Sequence, residues 1–419
     1  MNSSDIEWKV LPVGQLKPAA YNPRRHLKPG DKEYEKIKNS IKEFGYVEPI
    51  IVNYDMTVIG GHQRLNVLKD LGYEEVQCVV VHIEDEHKVK ALNIALNKIT
   101  GAWNEQLLAD LIVDLRSVDF NVDLTGFEAP EVEQLFSKVH NKKVKEDDFD
   151  VDGEMEKPAF SKAGDIWRLG KHTVICGDAT DPGTFRLLLR DTKVNLVCTD
   201  APYFVKLESQ SGRIANDDLE DAQAYEFLMK AFTNFKDAMA IDASIYEFYA
   251  TMKARVFYDA FEDAGFKVGA GLIWKKPRAP LMRTDWKFNM EPIIFGWRKD
   301  GKHKWYGDQK QKAVFEFDGI KNSKEDGHGH PSSKPVPLIA YLIQQSTQVN
   351  GIVLDGFLGS ASTLIACDQI GRICYGVELE PKFVDVAVMR YMNQHGNSAD
   401  GVLLIRDGKE HTYEQALDM

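Results

Sequence analysis

Two short apolar runs constrain the fold of this chain more than any other feature. Val194-Asn195-Leu196-Val197-Cys198 and Gly351-Ile352-Val353-Leu354 lack the length of a buried helix, so both read as strands covered on two faces, the mark of a parallel sheet wrapped by helices. Each gives way within two residues to a carboxylate, Asp200 or Asp355, and a third run, Ile373 to Val377, ends in Glu378. Ligand chemistry in open α/β sheets gathers at the carboxyl ends of the strands. Glu378 follows Asp355 by 23 residues, one strand on, where an acid is placed to bind the ribose hydroxyls of an adenosine-containing cofactor. Between them, Gly356-Phe357-Leu358-Gly359-Ser360-Ala361-Ser362-Thr363 is a small-residue loop opening a helix. Such a loop either cradles a ligand or simply lets the helix pack closely on the sheet.

This pattern does not run through the whole chain. Its 419 residues, 43% of them hydrophobic, are enough for two cores. Residues 1–85 alternate short strands, such as Glu48 to Val52 and Thr57 to Gly61, with helices such as His62 to Leu71, which predicts a small α+β domain. From 86 to 140 the apolar spacing turns helical and predicts a helical extension. Asn141 to Lys157 is crowded with Lys, Glu and Asp, has no period and ends at Pro158, so residues 141–163 are expected to form a solvated acidic linker. Residues 164–419 then form a Rossmann-like α/β domain.

The five cysteines, Cys78, Cys176, Cys198, Cys367 and Cys374, lie far apart and form no C-x-x-C pair. That argues against a disulfide framework or a zinc site, and no metal is expected. No basic stretch leading into an apolar run follows Met1, and no segment approaches 18 uninterrupted apolar residues, so the expected location is cytoplasmic, with no membrane partner. The oligomeric state is left open. A net charge of −12 is awkward for a nucleic-acid binder, which needs a basic face. Between Trp274 and Lys312, however, Lys275, Lys276, Arg278, Arg283 and further basic residues outnumber the acids and interleave with Trp274, Trp286, Trp297 and Trp305. Such a segment either grips nucleic acid or is a solvated face over buried tryptophans.

Seven elements occur in order: Gly164-Asp165-Ile166-Trp167-Arg168-Leu169-Gly170, Cys176-Gly177-Asp178-Ala179-Thr180, Asp200-Ala201-Pro202-Tyr203, Asn289-Met290-Glu291-Pro292-Ile293, His330-Pro331-Ser332-Ser333-Lys334-Pro335, the Asp355 to Thr363 loop, and Tyr375-Gly376-Val377-Glu378-Leu379-Glu380-Pro381. Together they resemble the DNA adenine-N6 and cytosine-N4 methyltransferases in their permuted arrangement, with the catalytic tetrapeptide, there D-P-P-Y, before the cofactor loop. The resemblance spans Gly164 to Asn393. It implies double-stranded DNA as substrate, with Asp200, Ala201, Pro202 and Tyr203 at the catalytic centre. It implies S-adenosylmethionine as cofactor, held by Asp178, Lys334, Asp355, Phe357, Gly359, Ser360, Ala361, Ser362, Thr363 and Glu378. For Asp178 an ordinary turn aspartate is an equal alternative. An Asp at the head of the tetrapeptide favours adenine N6 over cytosine N4, and the setting implied is DNA methylation, including restriction–modification.

The chemistry accounts for these residue types independently. The lone pair of an exocyclic amino nitrogen is delocalised into the base, so methyl transfer requires acceptors that hold its hydrogens and localise the pair. The Asp200 carboxylate and the Ala201 carbonyl, held by Pro202, are such acceptors, and Tyr203 is placed to stack on a base flipped from the helix. The plainer alternative has Asp200 capping a turn and Tyr203 in the core. Methylation at carbon 5 of cytosine would need a cysteine nucleophile, which in the family of those enzymes follows a proline, and no cysteine here follows a proline.

Two departures stand out: Ala201 replaces a proline, and Leu358 and Ala361 replace glycines frequent in the family's loop. An Ala361 at positive φ or against the cofactor would weaken binding, so the competing expectation is a DNA-binding adaptor that keeps the fold without the activity. A nicotinamide-dependent oxidoreductase would share the loop and Glu378 but gives Asp200 to Tyr203 no role.

At the other end, Asn22-Pro23-Arg24, Ser40-Ile41, Gly45, Pro49-Ile50 and Val58-Ile59-Gly60-Gly61-His62-Gln63-Arg64-Leu65 resemble the ParB/sulfiredoxin-like fold. This implies a nucleotide phosphate on the turn of Gly61, His62, Gln63 and Arg64, where free amides and the helix dipole favour anions. The alternative for His62 and Arg64 is a capped, salt-bridged surface helix.

Overall fold

The computed structural model describes residues 6–24, 26–98, 103–117, 120, 122–127, 131–132, 135, 144–205, 208–209, 212–213, 216–277, 285–308, 310–318 and 334–419. The chain divides into two units, residues 1–141 and 142–419.

The first unit is built on a five-stranded sheet of β1 (Ile6–Pro12), β2 (Lys17–Pro18), β3 (Ile50–Asn53), β4 (Thr57–Gly60) and β5 (Glu75–Val81), in the order β1-β5-β3-β4-β2. Alternate positions Ile50 and Val52 of β3 and Val76, Cys78 and Val80 of β5 are buried against Leu65 and Leu68 of the helix His62–Asp70. The expected helical extension contains the helices Glu86–Asn97 and Glu105–Ser117. Asp85 caps the first by accepting the His87 and Lys88 N–H groups.

The second unit carries an eleven-stranded sheet in the order β14-β12-β13-β11-β8-β15-β16-β7-β6-β17-β18. In chain order these are β6 (Ile166–Leu169), β7 (His172–Cys176), β8 (Val194–Asp200), β11 (Met239–Phe248), β12 (Phe266–Lys275), β13 (Met290–Arg298), β14 (Val314–Glu316), β15 (Ile352–Asp355), β16 (Ile373–Glu378), β17 (Val402–Arg406) and β18 (Lys409–Thr412). β9 (Glu208–Ser209) and β10 (Gly212–Arg213) pair antiparallel in a separate two-stranded sheet. The central strands β11, β8, β15, β16 and β7 run parallel, and both faces are buried. Leu196 and Cys198 of β8 face a core shared with the helices Val336–Ser346, Ser362–Gln369 and Pro381–Gln394. Val197 faces the other core, shared with Asp221–Ala238 and Ala254–Asp263. This is the doubly wound α/β arrangement that the strand pattern predicts.

The acidic segment behaves differently from a solvated linker. Residues 144–163 belong to the second unit, and Val144 packs on its core. The acids there find partners far away in sequence: Asp147 meets Arg390, and Glu146 accepts the Val336 N–H. Glu154, on the short helix Val151–Met155, is buried. A run of charge need not face solvent when its partners lie elsewhere in the chain. All five cysteines are free and buried. Among the described residues no helix is long and apolar enough to cross a membrane, and no three His, Cys, Asp or Glu side chains cluster as a metal site.

Candidate active site

The sheet order places β8, β15 and β16 side by side, so Asp200, Asp355 and Glu378 line one edge at their carboxyl ends. β8 continues towards β11 on one side and β15 towards β16 on the other, so the topological switch point, where ligands of open α/β sheets bind, falls between them.

At the β8 end, Asp200 Oδ2 pairs with Lys334 Nζ at 2.5 Å, and the same ammonium reaches Glu291 Oε2 at 3.3 Å. Glu291, on β13, also accepts from the Tyr203 hydroxyl at 3.2 Å and pairs with Lys276 at 2.5 Å. Lys334 Nζ lies 5.3 Å from the centre of the Tyr203 ring and 5.2 Å from that of Phe248, close enough for both faces to attract it. Burial raises the Asp200 pKa, Lys334 opposes this, and Glu291 adds to it. Burial disfavours charge on Lys334, yet Asp200 and Glu291 outweigh it and its pKa rises. Glu291 feels the same burial but is held below its ordinary value by Lys334 and Lys276. Asp200 Oδ1 is buried and meets no hydrogen-bond partner among the described residues.

Behind the tetrapeptide, the Ala201 N–H donates to Glu247 Oε1 at 3.1 Å. Glu247 projects from β11 opposite Thr199 and is fully buried, and burial pushes its carboxyl well above the usual range. The Glu247 carboxyl therefore holds the Ala201 end of the turn. After Pro202 and Tyr203 the chain turns back at Phe204, which takes a left-handed φ of 56° and is buried.

The loop after β15 is organised by two carboxylates. Asp355 Oδ1 accepts from the Thr199 hydroxyl at 2.7 Å and the Phe357 N–H at 3.1 Å, and Thr363 also bonds its carboxylate. Burial lifts Asp355 to about 6 despite those donors. Glu378 accepts the Gly359 N–H at 2.7 Å and the Glu380 N–H at 2.9 Å, and burial lifts it to about 7. Gly359 and Ala361 adopt left-handed φ values of 51° and 68°. The two residues that replace glycines are both spent on packing. Ala361 lies within the hydrophobic core, and Leu358 covers Gly376 so closely that a Cβ there would come within 2.7 Å of Leu358 Cδ2. Phe357 is half-buried and stacks on Phe227. Ser360 and Ser362 both face the guanidinium of Arg390. Asp178 bonds the Thr180 N–H at 2.8 Å and hydroxyl at 2.9 Å, as a turn aspartate does.

A family profile described as DNA methylase matches residues 194–389. YubD of Escherichia coli (strain K12), a methylase by name, is 31% identical over 189 residues, which span 44% of this chain and 76% of that protein. The Type II methyltransferase M2.MboI of Moraxella bovis is 24% identical over 225 residues, 48% of this chain and 82% of that protein. The chain belongs to the N6/N4 DNA methylase family. Two further profiles match outside the methylase domain: a ParB N-terminal domain over residues 2–96 and a ParB-methyltransferase HTH domain over residues 106–163. The second covers most of what the periodicity presents as extension and linker. Among solved structures, the M1.HpyAVI–SAM complex aligns at 20% identity with a TM-score of 0.40, covering 52% of this chain and 98% of that one.

In this methylase the DNA-contact candidates separate. Lys275 pairs with Glu316 on the surface, whereas Lys276 is turned onto Glu291 in the cluster around Asp200 and Lys334. Arg278 and Arg283 lie outside the described residues, as do His330 to Ser333. Trp274 is buried, while Trp286 and Trp305 are exposed. In the ParB-like unit, Gly61 starts the helix at φ 92° with no side-chain cap. His62 is buried, accepts the Ala19 N–H at Nε2, and burial followed by the charge of Arg24 lowers it to about 4, so it is neutral near pH 7. Gln63 accepts the Leu27 N–H, and Arg64 pairs with Glu48. Four functional residues escape sequence reasoning: Thr199, Glu247, Arg390 and, as a partner of Tyr203, Glu291. Glu291 alone leaves a trace, within the Asn289 to Ile293 element.

Proposed function

We propose that this DNA methyltransferase acts on adenine N6 of a base flipped from duplex DNA, with Asp200 and the Ala201 carbonyl as acceptors for the amino hydrogens. The observation that carries this reading is Asp200 itself: one carboxylate oxygen is tied to Lys334, and the other is buried beside Tyr203, whose hydroxyl lowers the Asp200 pKa, with no other partner among the described residues. S-adenosylmethionine, when bound, supplies an electrophilic methyl group. The fit of the loop to it rests on Glu378, whose oxygens each use one lone pair on a backbone N–H and keep another for ribose hydroxyls. Glu247 fixes the Ala201 peptide, so the two acceptors are held in place before the base arrives. Stacking on Tyr203, worth about 1–3 kcal/mol, offsets part of the cost of flipping. The N–C bond forms as the methyl–sulfur bond breaks, its electron pair remaining on sulfur as a neutral thioether, and the surplus amino proton passes to Asp200, whose raised pKa suits a proton acceptor. In the ParB-like unit, the uncapped helix start at Gly61 is the place for a nucleotide phosphate, held by backbone amides because His62 is neutral there.

The test is methyl transfer from labelled S-adenosylmethionine to unmethylated DNA, with Asp200→Ala alongside and digestion of the product to nucleosides. N6-methyladenine that disappears in the variant supports the reading. N4-methylcytosine keeps the mechanism and corrects the base. A folded protein that binds cofactor and methylates no DNA refutes the catalytic assignment.

A further inference from the structure

The stretch Val144 to Asp147, directly after the N-terminal unit, has no regular structure yet is tied to three elements around the cofactor loop. Lys145 exchanges two hydrogen bonds with the Gln369 amide, its N–H donating to Oε1 at 3.0 Å and its carbonyl accepting from Nε2 at 3.1 Å. Glu146 Oε2 accepts the Val336 N–H at 3.0 Å, two residues beyond Lys334. Asp147 holds Arg390 in a fork, Nε to Oδ2 at 2.7 Å and Nη2 to Oδ1 at 2.9 Å. The remaining nitrogen of that guanidinium, Nη1, donates to the Ser360 carbonyl at 2.6 Å and lies 3.4 Å from Ser362 Oγ. The side chains of Arg390 and Asp147 are only 3% and 11% exposed, so the fork is shielded and its planar geometry is transmitted to the loop. Ser360 sits between Gly359, whose N–H is held by Glu378, and the left-handed Ala361.

We propose that Lys145 to Asp147 form a strap that positions the cofactor loop through Arg390, so that cofactor affinity depends on the strap being seated. The proposal rests on the reading of this loop as the cofactor site. Asp147 and Arg390 are positioning residues: Asp147 sets the guanidinium plane, the guanidinium pins the Ser360 carbonyl, and the left-handed backbone beside it stays in a conformation it would otherwise leave. A loop already ordered loses less entropy when it binds.

In the full-length protein, two variants loosen the strap from different ends. Asp147→Ala removes the fork, and Gln369→Ala releases Lys145 without touching Arg390. Expected for both are faster hydrogen exchange of the amides at 356–363 in the cofactor-free protein and a dissociation constant for S-adenosylmethionine raised about 3- to 30-fold. Turnover at saturating cofactor should change little, and Asp147→Glu should recover part of the affinity. Folded variants with unchanged exchange and unchanged affinity, whatever their melting temperature, overturn the proposal and leave the strap a packing element. A wild-type protein that binds no S-adenosylmethionine refutes the cofactor reading instead, while the exchange measurement still decides whether strap and loop are coupled.

Discussion

Replacing Glu378 by Gln tests the cofactor half of the site on one atom. Both carboxylate oxygens accept backbone N–H groups, from Gly359 at 2.7 Å and Glu380 at 2.9 Å. An amide offers one oxygen only, so its nitrogen is driven against one of those N–H groups and one side of the loop is lost. A hydrogen bond to a charged group is worth about 1.5–3 kcal/mol, so Glu378→Gln should weaken S-adenosylmethionine binding about 10- to 150-fold in a calorimetric titration. The wild type carries a second signature. Burial lifts Glu378 from its ordinary 4.5 to about 7, and binding that needs the carboxylate must first remove the proton. Affinity should therefore fall about tenfold from pH 8 to pH 6. Stability of the cofactor-free protein runs the opposite way. A carboxyl with a raised folded pKa stabilises the folded state fully below about 4.5, and this contribution is lost as pH rises through about 7. The Gln variant should lose Glu378's share of both slopes. Binding within about threefold of wild type in Glu378→Gln, or a wild-type affinity flat from pH 6 to 8, would refute the assignment of Glu378 to the ribose.

Lys334→Met leaves Asp200 and Glu291 facing each other, with Lys276 the compensating cation among the described residues. Denaturant titration should show a loss of about 3 kcal/mol, the cost of a shielded ion pair missing one partner, and methyl transfer should collapse with it. Glu247→Ala orphans the Ala201 N–H and should slow methyl transfer by about ten- to a hundredfold, whereas Glu247→Gln keeps an acceptor there and should retain most of the rate. Equal rates in the two would show that the turn needs no support from β11. In Ala361→Gly, relief of a left-handed residue, about 1–2 kcal/mol, is set against added backbone entropy and a lost buried methyl, about 0.5–1 and 0.8 kcal/mol. The variant should unfold within about 1 kcal/mol of wild type in urea, and a loss well beyond that would mean the φ of 68° carries no strain.

What was legible in the sequence is what neighbouring residues decide. A strand buried on both faces announces itself by an unbroken apolar run, and the acid closing it falls at the sheet edge by counting, so Asp200, Asp355 and Glu378 were found without knowing where the strands go. The partners of those acids were not legible, because contacts between distant residues leave no period. Glu247 lies 46 residues from the N–H it holds, and Asp147 lies 243 from Arg390. The acidic segment misled for that reason: its counter-charge sits on a helix at the far end of the domain. Ala361 shows the same limit from the other side. Set against the family's glycines it reads as a defect, at positive φ because the backbone is strained or against the cofactor because its methyl would crowd it. In the fold that methyl is in the core, and Leu358, the other replacement, fills the space above Gly376. The backbone keeps the left-handed turn that glycine would favour, while the added carbon atoms pack in the core. A departure from a motif therefore has to be judged by where its extra atoms are buried as well as by its backbone: the φ of 68° meets one of the two conditions for weakened binding, and the burial of the methyl speaks against the other.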